Sequence, residues 1–114
     1  MVILVVEDES LINLMASEEL QTAGHVVISA YSADQAITIL ESRNDIQLVF
    51  TDIDMPGSMD GLRLSAAVQY RWPPIQIIIT SGKHPEAAMP DGSRFLRKPY
   101  RLDKLRRTVD ALHN

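Results

Sequence analysis

Five short runs of apolar, largely β-branched residues alternate along the chain with stretches of helical period, and few folds accommodate that pattern. Val2–Val6 reads as a strand buried on both faces. Ser10 then precedes a helix whose apolar stripe is Ile12, Ala16, Leu20 and Ala23, with Gly24 where a helix stop is expected. His25–Ala30 is a second strand. Ser32-Ala33-Asp34-Gln35 has the form of a capping box, and Ala33, Ala36, Ile37 and Leu40 continue it as a helix. Ile46–Thr51 is a third strand, and a helix from Asp60-Gly61 runs to about Arg71, stopped by Pro73-Pro74. Ile75–Thr80 is a fourth strand, followed by a short helical unit around Pro85–Met89. Arg94–Leu96 is a fifth strand, and Leu102, Leu105, Val109 and Leu112 stripe a last helix. Strands buried on both faces with short connections predict an α/β fold: a parallel sheet with helices on both sides. Periodicity does not set the strand order. In a flavodoxin-like, doubly wound sheet of order 2-1-3-4-5, the crevice lies at the carboxyl ends of strands one and three.

Length and charge narrow the reading. The 114 residues suit one domain, so residues 1–114 are expected to form it without an output domain. Area scaling predicts roughly 6,200 Å² folded against roughly 18,400 Å² unfolded, enough for a core without staples. There is no cysteine, which suits a reducing cytoplasm. The longest apolar runs are far too short to span a bilayer. The net charge of −4 hides seven basic residues between Arg94 and Arg107 against the single acid Asp103. Without a stacking platform or a DNA-reading motif, that segment reads as a solvated helix face and not as a nucleic-acid site.

The strand ends carry the chemistry. Strand one ends in Glu7-Asp8, strand three in Asp52 with Asp54 two residues on, strand four in Thr80-Ser81-Gly82, and strand five in Lys98-Pro99. Each residue alone is ordinary; their recurrence at four of five strand ends is not. Carboxylates about 4 Å apart repel by about 4 kcal/mol at an effective dielectric near 20. Such a cluster holds a proton or binds a cation. All-oxygen ligands suit Mg²⁺, which keeps several waters and takes one or two carboxylates plus a phosphate. A carboxylate is a competent nucleophile toward phosphorus, a lysine can neutralise phosphoryl oxygens, and a threonine hydroxyl can donate to another.

These residues resemble the receiver domains of bacterial two-component systems. The resemblance spans Val2 to about Leu112. It rests on Val5-Val6-Glu7-Asp8-Glu9, Thr51-Asp52-Ile53-Asp54-Met55-Pro56-Gly57, Ile78-Ile79-Thr80-Ser81-Gly82 and Phe95-Leu96-Arg97-Lys98-Pro99-Tyr100. Short regulators without an output domain are the most similar. The resemblance implies that Asp52 is the phosphoacceptor, with Mg²⁺ held by Asp8 and Asp52, by Glu7 mainly through water, and by the Asp54 backbone carbonyl. It implies that Thr80 is the switch hydroxyl, Lys98 the phosphoryl-binding lysine, Phe95 the switch aromatic, and Lys98–Pro99 a cis bond. The implied partner is a histidine kinase or histidine phosphotransfer protein, and the implied activity is signalling, with only self-phosphorylation and slow autodephosphorylation.

The sequence departs from the family pattern in three places. The loop Pro56-Gly57-Ser58-Met59-Asp60-Gly61 carries one residue more than is common. Thr80 and Lys98 are only 18 positions apart, so helix four is expected to be shortened and any homodimer weak. Ser81 stands where a small apolar residue is usual. A haloacid-dehalogenase-like phosphatase is an alternative because of Asp52-Ile53-Asp54, although its usual late acid cluster is missing. A receiver excised from a hybrid histidine kinase is another. His25, His84 and His113 lack metal-ligand spacing and are expected at the surface. Met55, Met59 and Met89 read as loop packing.

Overall fold

The five apolar runs assemble into a single parallel sheet in a computed structural model that describes residues 1–55, 60–83 and 89–113. Its strands are β1 (Val2–Val6), β2 (Val26–Ala30), β3 (Leu48–Asp52), β4 (Gln76–Ser81) and β5 (Arg94–Arg97). Their order is β2-β1-β3-β4-β5, the doubly wound arrangement whose crevice lies at the carboxyl ends of β1 and β3. The strands start and stop within two residues of the sequence reading. Ile46 is buried but precedes the ladder, because Gln47 joins the strands through other bonds. Its amide donates to the Val2 carbonyl at 2.9 Å, and its side chain accepts from the Val2 amide at 2.9 Å. At the other end β3 runs one residue further than expected, so that Asp52 stands in register with Thr80 of β4.

Alternate strand residues point to opposite faces. Ile3, Val5, Leu48, Phe50, Ile78 and Leu96 pack beneath α1 (Ser10–Thr22) and α4 (Leu102–His113). Leu4, Val6, Val49, Ile77 and Ile79 pack beneath α2 (Ala33–Ser42) and α3 (Gly61–Arg71). The capping reading of α2 holds in modified form. The Gln35 amide donates to Ser32 Oγ at 3.1 Å, while the Gln35 side chain accepts from the Tyr31 amide at 2.6 Å, one residue before the cap. Asp60 caps α3 by accepting from the Arg63 amide at 2.8 Å. In α1 the cap is Glu9, and Ser10 is already helical.

Two expectations need correction. The inner face of α1 is Asn13, Ala16, Ser17 and Leu20, so two polar residues share the buried stripe, while Ile12 and Ala23 are only half-buried. His25 is buried, not at the surface. Its ring lies against His113, with centroids 5.7 Å apart, and Nε2 is 3.5 Å from Asp110 Oδ1. The return of α4 over the start of β2 encloses it, a long-range contact that ligand spacing does not reveal. His84, Met59, the lengthened loop over residues 56–59 and all but Met89 of the short helical unit fall outside the described residues. Met55 and Met89 do pack against the core. The basic residues Arg94, Arg97, Arg101, Lys104, Arg106 and Arg107 are exposed. Asp103 pairs with Arg101 and Arg107, and Arg106 with Glu19. Among the described residues no helix is long and apolar enough to cross a membrane.

Candidate functional site

The carboxyl ends of β1, β3, β4 and β5 converge because a parallel sheet aligns all its strands one way. Asp52 closes β3 and is 2% exposed. Its Oδ1 accepts the Asp54 amide at 2.9 Å, and its Oδ2 accepts from Lys98 Nζ at 2.7 Å. Lys98 Nζ also lies 3.3 Å from Glu7 Oε1. Lys98 is drawn in at its own backbone, where its amide donates to the Ser81 carbonyl at 2.8 Å, and the Lys98–Pro99 bond is cis. Glu7 is 4% exposed and accepts the Glu9 amide at 2.9 Å. Carboxylate oxygens of Glu7, Asp8 and Asp52 all lie within 4.8 Å of one another. Thr80, 1% exposed, stands beside Asp52 in the ladder, and its Oγ1 has no hydrogen-bond partner among the described residues.

Electrostatics follow from this crowding. Burial pushes the Glu7 carboxyl up to about 7; the Glu9 amide opposes that, and Asp8 and the Asp52 charge add to it. Burial alone would lower Lys98, but its hydrogen bond to Asp52 and the charges of Asp52 and Glu7 outweigh the effect and raise it. Burial likewise pushes the Tyr100 phenol up to about 12, with the charge of Glu7 helping. Three acids thus face one ammonium. That deficit of positive charge, with hard oxygen donors and an open side, fits a divalent cation such as Mg²⁺.

Sequence reasoning brought together Glu7, Asp8, Asp52, Thr80 and Lys98, and the geometry does the same. Phe95 lies on β5 in register with Ile79, half-buried against the α2–α3 side of the core. The Asp54 side chain turns away from the acid cluster: its Oδ2 accepts from Ser81 Oγ at 2.9 Å and the Gly82 amide at 3.3 Å. Ser81 is therefore more than a small residue beside Thr80, because it ties the end of β4 to the segment that follows Asp52. Gly61 was read only as a helix start. A Cβ there would overlap the Asp52 carbonyl oxygen and crowd Ile53 Cα, so glycine lets α3 abut the end of β3. Asn13 was missed altogether, although its spacing of three and seven from Ala16 and Leu20 already placed it on the inner face.

Comparison with known proteins gives the family. The chain belongs to the response regulator receiver domain family, whose model matches residues 3–110. A response regulator receiver protein from Sinorhizobium medicae is similar at 28% identity and a TM-score of 0.91, covering 98% of this chain and 93% of that one. The response regulator TrrA from Thermotoga maritima, in complex with Mg²⁺ and beryllofluoride, is 29% identical at a TM-score of 0.85, with 97% of both chains covered. The receiver domain of the hybrid histidine kinase CckA is 29% identical at a TM-score of 0.86, with both chains covered in full. The fold and the family make this a receiver domain of two-component signalling and set aside the phosphatase alternative.

Proposed function

We propose that Asp52 is the phosphoacceptor, with Lys98 and Thr80 as the groups that receive the phosphoryl oxygens. The observation that carries this reading is a nearly buried aspartate 2.7 Å from one lysine ammonium and in register with a threonine whose hydroxyl has no partner among the described residues. A carboxylate oxygen of Asp52 attacks phosphorus as the phosphorus–nitrogen bond of a donor phosphohistidine breaks. An acyl phosphate forms, and the donor imidazole leaves and takes a proton from solvent. Lys98 holds negative charge on the phosphoryl group, and Thr80 Oγ1 gains the acceptor it lacks at rest. Glu7, Asp8, Asp52 and the Asp54 backbone carbonyl would hold Mg²⁺, which when bound supplies charge neutralisation at the transferring group.

The phosphoryl group carries roughly two negative charges at neutral pH where the free carboxylate carried one; it draws Thr80 toward Asp52 and lets Phe95 turn further inward, shifting the population between two packings of the β4–β5 side. The donor is a histidine kinase or phosphotransfer protein in the cytoplasm. A groove of about 420 Å³ beside Lys98, lined by Ile12, Met15, Pro99, Tyr100 and Leu102, and the exposed Leu11 and Leu14 on α1 suit an apolar partner helix that carries the donor histidine. The output is protein contact or onward phosphoryl transfer, without turnover of a further substrate.

Incubation with acetyl phosphate and Mg²⁺, and in parallel with a phosphorylated phosphotransfer protein, tests this by intact mass. Wild type gains one phosphoryl group and Asp52→Asn gains none. Equal labelling of the variant, or no labelling of wild type from either donor, would overturn the assignment.

A further inference from the structure

A buried polar network adjoins the acid cluster at the Glu7 backbone. Asn13 is 0% exposed on the inner face of α1. Its side-chain amide donates to the Glu7 carbonyl and to the Ala30 carbonyl, both at 3.0 Å. Its Oδ1 accepts from Ser17 Oγ at 3.2 Å, and Ser17 Oγ is 3.2 Å from Ser29 Oγ on β2. Both protons of the amide are used, and so is the capacity of the Ala30 carbonyl, which also accepts the Glu7 amide at 3.1 Å. Asparagine is a poor helix-interior residue, and a buried amide is costly unless every bond is made. Here the bonds are made, and they tie together three things: the end of β1, the end of β2 and the first turns of α1.

The β1–β2 ladder ends at Val6 and Ala30. Beyond it, the Glu7 carbonyl has no strand partner among the described residues, and Asn13 donates to it instead. We infer that Asn13 is a positioning residue for the cation. By fixing the peptide that follows Glu7, it sets the direction in which Glu7 and Asp8 present their carboxylates toward Asp52. The inference rests on the reading of Glu7, Asp8 and Asp52 as the cation's holders.

Isothermal titration of Mg²⁺ into Asn13→Ala and wild type, with thermal unfolding of both in EDTA, tests it. Loss of an outer partner of this kind costs about tenfold in metal affinity, so Asn13→Ala is expected to bind Mg²⁺ about tenfold more weakly. Its rate of labelling by acetyl phosphate should fall at low Mg²⁺ and return to the wild-type rate at saturating Mg²⁺. Should the alanine variant fail to fold, Asn13→Ser, which keeps one small donor, is read the same way. A folded variant with wild-type Mg²⁺ affinity and merely a lower melting temperature would overturn the inference, since that is what packing alone predicts. Wild-type protein that binds no Mg²⁺ would instead overturn the reading on which the inference rests.

Discussion

Lys98 Nζ sits 2.7 Å from Asp52 Oδ2, reaching across from the end of β5 to the end of β3. The two residues are 46 positions apart in the chain. The same ammonium is 3.3 Å from Glu7, so one cation serves two buried carboxylates. The resting site is therefore short of positive charge, and its stability is expected to depend on pH, on Lys98 and on an added cation.

Glu7 gives the pH dependence. Its carboxyl is raised from 4.5 to about 7 in the folded protein. Between those values the folded state holds a proton that the unfolded state has lost. Metal-free protein is therefore expected to gain stability as pH falls from 8 to 5.5, by ~1–3 kcal/mol. Urea unfolding in EDTA at the two pH values measures this. Saturating Mg²⁺ should reverse the trend, because the cation competes with that proton. Equal midpoints in EDTA at pH 5.5 and 8 would rule the effect out.

Lys98→Met removes the cation and keeps most of the stem. At pH 8 the variant should lose ~2 kcal/mol, because Glu7 and Asp52 are left buried and facing each other. The loss should shrink at pH 5.5, where Glu7 takes up a proton, and in the double variant with Asp52→Asn. A loss that is the same in all three conditions would mean that Lys98 contributes only packing.

Thr80→Val replaces a buried hydroxyl that has no partner among the described residues with a methyl of similar shape. The resting protein should be unchanged or up to about 1 kcal/mol more stable. Labelling of Asp52 should persist, but the change in Phe95 environment on adding beryllofluoride should be lost. Fluorine NMR of protein carrying fluorophenylalanine would report it. A variant that shows the full wild-type shift would remove Thr80 from the switch.

Ser81→Ala cuts the bridge to Asp54. The bond is partly buried, so the expected cost is about 1 kcal/mol in chemical denaturation, with labelling of Asp52 retained. Asp54→Ala in the same background should then add little to the cost, since the Ser81 bond is already gone and only the longer 3.3 Å bond from the exposed Gly82 amide remains. Fully additive losses would show that they act independently.

Much of this protein was legible without coordinates. Continuous apolar runs and period-3.6 stripes are local, so the strands and helices could be read directly from residues such as Val2–Val6 and the stripe from Leu102 to Leu112. The identities of Glu7, Asp8, Asp52, Thr80 and Lys98 were legible too, since each stands at the end of an apolar run and a parallel sheet brings such ends to one edge.

Only the tertiary structure decided what each side chain meets there. Asn13 looks like an ordinary polar helix residue until the ends of β1 and β2 arrive beneath it. Ser81 and Asp54 are 27 positions apart, and nothing in either stretch announces their bond. His25 reads as exposed until α4 returns to cover it. The reason is the same in each case. Pattern reports the face on which a residue lies, whereas hydrogen-bond partners and burial depend on contacts distant in sequence, which exist only once the chain has closed on itself.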